Sequence, residues 1–282
     1  MSGTLYLCAT PIGNLGDITL RVIELLKECD LIAAEDTRNT IKLLNHFGIK
    51  TPLISYHEHN KISKGPILIE KLKSGMNIAL VTDAGMPGIS DPGADLVKLC
   101  FEEGIRATAA PGASAAVTAL VLSGMNTRRF VFEGFLPADR KERAKTLKSL
   151  AKEERTVIFY EAPHRLAETL GELIEAAGDR NAACVREITK KFEEVRKDRL
   201  SGLISYYKNN VPRGEFVLVL EGADAECLRR EEIENFEKMT LEEHMELYTN
   251  KGLSEKEAMK QVAKDRGVSK RDIYSILKTE GK

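Results

Sequence analysis

Through the first 114 residues, short apolar runs alternate with longer segments of helical spacing. Leu5–Ala9, Asp30–Ala34, Pro52–Ser55, Ile78–Val81 and Arg106–Ala110 each read as a strand. Four consecutive apolar residues bounded by breakers, as at Ile78–Val81, fit a strand covered on both faces. Between these runs, Thr19–Cys29 has apolar residues at Leu20, Ile23 and Leu26, one face of a helix. Further helices are predicted through Leu43, Leu44 and Phe47, over Ile62–Ser74 and over Ala94–Glu103, stopped by Gly48, Gly75 and Gly104. Strand, loop and helix repeated in this way predict a mostly parallel α/β domain over 1–114.

Ala115–Leu122 reads as a helix leading into a second α/β domain, 115–222, with fewer glycine loops. Its strands are expected at Phe130–Glu133, Thr156–Tyr160, Ala182–Arg186 and Glu215–Glu221, and its helices at Arg140–Lys152, Leu166–Ala177 and Leu200–Lys208. An antiparallel component is expected there. Beyond Gly222 the periodicity lapses: Glu221–Glu246 carries ten acidic and three basic residues, an acidic linker or exposed helix over 223–239. A helical module follows over 240–282, where Lys251–Lys282 holds nine basic and five acidic residues. Thr240 with Glu243, and Ser254 with Glu257, match the capping box, and Ser269 can cap a last helix. Gly267 between Glu255–Arg266 and Lys270–Leu277 gives a helix-turn-helix pattern, with a helical dimerisation tail as the alternative.

Composition changes this picture little. With 43% hydrophobic and 30% charged residues and a formal net charge of −1, the chain is an ordinary globular one with no global pull toward nucleic acid or membrane. No segment approaches the roughly 20 apolar residues that span a bilayer, and the start of the chain does not read as a signal peptide. The five scattered cysteines form no CxxC pair and argue against a disulfide framework or a zinc site. A reducing, cytoplasmic setting is expected.

The chemistry is carried by loops. No GxGxxG, GxxxxGK[ST] or GxSxG occurs, so dinucleotide, P-loop and nucleophile-elbow chemistry lack support. His57 and His59 flank Glu58 without a legible third ligand, so no metal is expected. What remains are the backbone-rich loops Pro11–Gly16, Asp83–Pro92 and Pro111–Ser114, each after a strand, on the face where open sheets bind small ligands.

The runs LYLCATPIGNLGDITLR, AAEDTR, SYHEHN, VTDAGMPGISDPG, PGASA, EGFLP, FYEAPHR and GEFVLVLEG occur in order from Leu5 to Gly222. Together they resemble the bacterial small-subunit ribosomal RNA methyltransferase I family, a branch of the tetrapyrrole methylase-like superfamily. The resemblance implies two α/β domains with a cleft between them for S-adenosylmethionine, and commonly a homodimer. It implies cofactor contacts at Pro11, Ile12, Gly13, Asp83, Gly85, Met86, Pro87, Ser114, Ala115, Tyr160 and Phe216, and methylation of a ribose 2′-hydroxyl, that of a cytidine, in 16S RNA. The acceptor is then small-subunit RNA or the assembled 30S subunit.

A ribose hydroxyl is a poor nucleophile, and a base or a cation near it helps. The candidates are Glu35, Asp36, Glu161 and Lys190, beside His164 and Lys191. Positive charge for RNA is sought in Arg128–Arg155, with nine basic and five acidic residues, in Arg186–Arg199, with six and four, and in the tail. Two other classes stay open: a methyltransferase acting on a tetrapyrrole-like small molecule, and a ligand-sensing DNA-binding regulator.

Overall fold

The computed structural model describes residues 2–280, in two compact units: 2–147 with Arg155–Glu221, and Lys148–Glu154 with 222–280. In chain order the first part of the larger unit runs β1 (Thr4–Cys8), α1 (Leu20–Glu28), β2 (Leu31–Ala34), α2 (Thr37–His46), β3 (Leu53–Ser55) and α3 (Lys61–Lys73), then β4 (Ile78–Val81), α4 (Gly93–Glu102), β5 (Arg106–Ala110) and α5 (Ala115–Ser123). The five strands form one all-parallel sheet of order β3-β2-β4-β1-β5.

The apolar run of β4 is central because it feeds two cores. Ile78 and Leu80 pack with Leu5, Leu68 and Leu96 on one face, while Ala79 and Val81 pack with Val22, Leu26 and Leu44 on the other. Alternate side chains of a strand point to opposite faces, so a strand covered twice must be apolar throughout. Full burial of each large aliphatic side chain stabilises the fold by about 1.5–3 kcal/mol. Thr19 caps α1, its hydroxyl accepting from the Val22 N–H at 3.2 Å, and Gly48 ends α2 in the left-handed region at φ +65°.

The second sheet runs β6 (Phe130–Phe135), α6 (Arg140–Leu150), β7 (Thr156–Glu161), α7 (Leu166–Ala177), β8 (Asn181–Arg186), β9 (Glu194–Arg199), α8 (Leu200–Asn209) and β10 (Phe216–Leu220). Its order is β6-β7-β10-β8-β9, with β6 and β7 parallel and the other pairs antiparallel. Strand β9 is absent from the sequence reading, which treats Arg186–Arg199 as a basic surface stretch. It is an edge strand of mostly exposed residues, with Glu194 and Arg196 half-buried and paired to each other, and its one-sided pairing with β8 suits a run with little apolar content.

In the smaller unit the acidic stretch takes the helical one of its two readings, as α9 (Ala225–Lys238), followed by α10 (Leu241–Thr249), α11 (Glu255–Asp265) and α12 (Lys270–Glu280). Both predicted capping boxes form: Glu243 accepts from the Thr240 N–H at 2.9 Å, and Glu257 from the Ser254 N–H at 3.1 Å. Leu241, Val262, Ala263 and Ile273 make a small core, and Gly267 turns the chain between α11 and α12 at φ +66°. Among the described residues no helix is long and apolar enough to cross a membrane. Cys8, Cys29, Cys100 and Cys184 are buried as free thiols, and Cys227 is exposed.

Candidate active site

Strands β1 and β4 lie side by side, but the chain leaves β1 toward β2 and leaves β4 toward β5, in opposite directions across the sheet. Such a reversal opens a crevice beyond the carboxyl ends of the strands. The loops that follow β1 and β4 are stitched together there. Thr10 and Gly85 exchange backbone hydrogen bonds at 2.9 and 3.1 Å, and the Thr10 hydroxyl donates to the Thr82 carbonyl at 3.0 Å. Gly85 sits at φ +83°, and a Cβ on it would meet Ile12 Cγ2 at 3.3 Å.

Asp91 shapes the rest of the β4 loop. Its carboxylate accepts from the backbone N–H groups of Gly88 at 2.9 and 2.8 Å, Ile89 at 3.1 Å and Gly93 at 2.8 Å. Burial nevertheless raises its pKa, with the three amides pulling the other way.

Two of the expected catalytic carboxylates follow β2, one of them in contact with the β4 loop. Glu35 follows β2, and its Oε2 accepts from the Thr82 hydroxyl at 2.5 Å and from the Asp83 N–H at 3.3 Å. Asp36 accepts from the Arg38 N–H at 2.8 Å as the cap of α2, and its second oxygen takes the Arg38 guanidinium at 2.6 Å. These contacts, the Arg38 side chain first, lower the Asp36 pKa from 3.8 to about 2. A depressed carboxylate pKa contributes stability that is complete above the unfolded value and lost as pH falls through the folded one. Asp36→Asn is therefore expected to lower the thermal midpoint at neutral pH, with the gap to the unsubstituted protein closing as pH falls from about 4 to 2 in paired melts.

Two cavities open over the stitched loops. One, of about 420 Å³, is bordered by Pro11, Ile12 and Gly13, by Asn39, Lys42, Leu43 and His46 of α2, and by Lys190. The other, of about 440 Å³, is bordered by Gly85, Met86, Ser114 and Ala115 from the first sheet's loops, and by Phe135, Tyr160, Glu161 and Phe216 from the second sheet. Ile12, Thr82, Asp83, Ala84 and Glu215 border both. Asp83 is exposed on this shared wall, and Asn39 donates to its Oδ2 at 3.1 Å.

The second sheet supplies the aromatic side of the Tyr160 cavity. A bulge between Phe132 and Gly134 turns Phe135 so that its ring meets Tyr160 edge-on at 5.6 Å. Burial raises the Tyr160 pKa, against the Ala116 N–H, so the phenol stays neutral. Glu161 is buried, accepting from the Thr169 hydroxyl at 2.5 Å and from the Ala162 N–H at 2.8 Å. Lys190 donates to Glu187 at 2.9 Å and Glu215 at 2.8 Å. Partial burial works against the Lys190 charge, but those two carboxylates outweigh it and raise its pKa.

Gly13 has a packing reason: a Cβ there would lie 2.5 Å from Lys190 Cγ and 3.0 Å from the Ile188 carbonyl. Ser90, Glu187 and Thr189 are the non-glycine residues with positive φ among the described residues, at +67°, +50° and +66°. Ser90 borders the Tyr160 cavity and the other two flank the Lys190 turn, so backbone strain concentrates around the crevice.

Of the residues expected at the cofactor, Ile12, Asp83, Gly85, Met86, Ser114, Ala115, Tyr160 and Phe216 border the Tyr160 cavity, and Pro11 and Gly13 border its neighbour. Pro87 borders neither. Glu161 borders the first and Lys190 the second, whereas Glu35 and Asp36 border neither. The α2 residues Asn39, Lys42, Leu43 and His46 are missing from the expectation, although their i, i+3, i+4, i+7 spacing directly after AAEDTR marks one helical face.

The Tyr160 cavity suits an adenosine-bearing sulfonium. It joins apolar and aromatic walls for a flat base to a carboxylate at Asp83 for an amine or hydroxyl, and at Gly85 the backbone comes close because no Cβ intervenes.

Residues 4–204 match the family model for tetrapyrrole (corrin/porphyrin) methylases. The chain is 52% identical to ribosomal RNA small subunit methyltransferase I of Bacillus subtilis (strain 168), over 96% of this chain and 93% of that protein. It is 48% identical to the protein of the same name from Synechocystis sp. (strain ATCC 27184 / PCC 6803 / Kazusa), over 97% of each chain. Among solved structures, diphthine synthase superposes with a TM-score of 0.59 at 17% identity, over 78% of this chain and 90% of that one. Uroporphyrin-III-C-methyltransferase from Thermus thermophilus superposes with a TM-score of 0.55 at 19% identity, over 78% and 94%. Methyltransferases of this kind depend on S-adenosylmethionine. The chain belongs to the ribosomal RNA small subunit methyltransferase I family of the tetrapyrrole methylases.

Proposed function

We propose that this protein methylates the ribose 2′-hydroxyl of a cytidine in 16S ribosomal RNA, with S-adenosylmethionine bound in the Tyr160 cavity and the acceptor nucleoside in the Pro11 cavity. The observation that carries this is the shared wall: the two cavities have Ile12, Thr82, Asp83, Ala84 and Glu215 in common. An in-line substitution needs donor and acceptor on opposite sides of the transferred carbon, and adjoining cavities supply that arrangement.

Bound there, S-adenosylmethionine supplies an electrophilic methyl group. Asp83 accepts a hydrogen bond from its amine or a hydroxyl, with Asn39 fixing the carboxylate. Met86, Ala115, Tyr160 and Phe216 exclude water, Gly85 and Ser114 let backbone approach the ligand, and Pro87 stiffens the loop. Pro11, Ile12 and Gly13 turn the β1 loop under both ligands. Lys190 is the catalytic candidate that borders the acceptor cavity. With its pKa raised it is no base: two of its N–H groups hold Glu187 and Glu215 and the third steadies the ribose oxygen, whose proton passes to solvent as the O–C bond forms and the S–C bond breaks. Glu161, with both carboxylate oxygens engaged, positions the turn after β7, and Glu35 and Asp36 position the Asp83 loop and α2.

The acceptor is small-subunit RNA or the assembled 30S subunit, in the cytoplasm, and the protein acts as a homodimer for which the exposed Val117 and Val121 of α5 offer an apolar face. The test is transfer of label from S-adenosylmethionine to small subunits from cells lacking this protein. A methylated 2′-oxygen blocks alkaline cleavage, so the reading predicts label in one alkali-resistant dinucleotide with a 5′ cytidine. Label on a base, or transfer only to a tetrapyrrole, would overturn it.

A further inference from the structure

Helix α2 contains Arg38, Lys42 and His46 and no acidic residue, and residues 37–57 lack Asp and Glu altogether in a chain that holds 43 of them. Asn39, Lys42, Leu43 and His46 border the Pro11 cavity and lie on one face of the helix. Lys42 and His46 are exposed, and their side chains form no ion pair or hydrogen bond among the described residues; the His46 ring touches only Phe47, edge-on at 4.8 Å.

The cations in Arg186–Arg199 are differently placed. Four of the six are committed: Arg186 and Arg196 pair with Glu194 at 3.2 and 2.7 Å, Lys190 with Glu187 and Glu215, and Arg199 with Asp179 at 3.8 Å; Lys191 and Lys197 are exposed but border neither cavity. A cation already matched to a carboxylate has less to offer a phosphate. Arg38 is likewise matched by Asp36. Among the described residues bordering the Pro11 cavity, Lys42 and His46 are basic side chains not matched to a carboxylate.

We infer that the face of α2 carrying Lys42 and His46 binds the phosphodiester backbone beside the acceptor nucleotide. This rests on the RNA-methylation reading above and adds where the strand lies. A nucleotide turned into the Pro11 cavity brings its flanking phosphates to the cavity's rim. There Lys42 supplies a point charge and His46 a ring N–H donor, while Asn39 of the same face is tied to Asp83. Phosphate contacts position the strand without reading sequence, so this face fixes the register of the acceptor ribose and leaves base selection to the cavity.

The test compares Lys42→Glu, Lys42→Gln and His46→Gln with the unsubstituted protein on small ribosomal subunits, across 50–200 mM KCl at fixed magnesium. Lys98→Glu, on α4 and exposed, is the control. The expected result is a KM for subunits raised roughly tenfold by Lys42→Glu and less by the neutral variants, with the salt slope shallower by about one for Lys42. The affinity for S-adenosylmethionine, measured by calorimetry without RNA, stays within about twofold and certifies the fold. Unchanged KM and salt slope in active variants would overturn the placement on α2 and leave the methyltransferase reading standing. Absence of transfer to any RNA by the unsubstituted protein would remove both.

Discussion

Asp83→Ala is expected to weaken S-adenosylmethionine binding by about 10- to 100-fold, the loss of one or two charge-assisted hydrogen bonds worth roughly 1.5–3 kcal/mol. Methyl transfer at subsaturating cofactor falls by at least the same factor. Asp83 lies on the wall that the two cavities share, and its placement is set from two sides. Asn39 donates to the carboxylate, and Glu35 holds the Asp83 N–H and the neighbouring Thr82 hydroxyl. The effect is therefore graded: Asn39→Ala leaves the carboxylate in place but free to rotate, and costs less than Asp83→Ala. Titration calorimetry on the three proteins checks the order, and an Asn39→Ala loss larger than that of Asp83→Ala would contradict it. The fold is expected to withstand Asp83→Ala, because the side chain is exposed and touches no core residue.

Asp91→Ala is expected to act on the fold as well as on binding. One carboxylate satisfies the N–H groups of Gly88, Ile89 and Gly93, which no other described group replaces. Leaving partly buried donors unpaired costs about 1–3 kcal/mol each, reduced where water reaches them, for a total of roughly 2–4 kcal/mol. The loop also loses the tie that holds Ser90 at positive φ, next to the Tyr160 cavity. A drop of that size in denaturant-derived stability, together with loss of cofactor affinity, is the expected outcome. Asp91→Asn, which keeps one acceptor oxygen, recovers part of both. Equal stability of Asp91→Ala and the unsubstituted protein would contradict this role.

Much of the fold was legible because the strands of the first sheet are short and mostly apolar, β2 and β4 wholly so, and each is followed by a glycine-bearing or polar loop. Ile78–Val81 serves two cores, and only an apolar run can do so. Strand β9 was not legible because an edge strand needs no apolar face: Glu194–Arg199 has one apolar residue, Val195, and owes its place to pairing with β8. Helix α9 was only half legible, an exposed helix being one of two readings of a mostly charged sequence; Asp224 caps it by accepting from the Glu226 and Cys227 N–H groups.

The loops of the crevice were found because glycine and proline mark them, and the residues named for the cofactor lie mostly around one cavity. The roles given to Glu35 and Asp36 were less legible. A carboxylate in a motif reads alike whether it meets substrate or holds a backbone amide, and the contacts to Thr82, Asp83 and Arg38 become visible only in the fold. The α2 face was overlooked because its signal is partly an absence of acidic residues, which no motif records.

The most direct measurement is a crystal structure with S-adenosylhomocysteine bound. The account predicts the ligand in the Tyr160 cavity, its adenosine among Met86, Ala115, Tyr160 and Phe216, an amine or hydroxyl on Asp83, and its sulfur toward the wall shared with the Pro11 cavity. A ligand seated between Pro11 and His46, or one that leaves Asp83 untouched, would contradict the assignment of donor and acceptor sides.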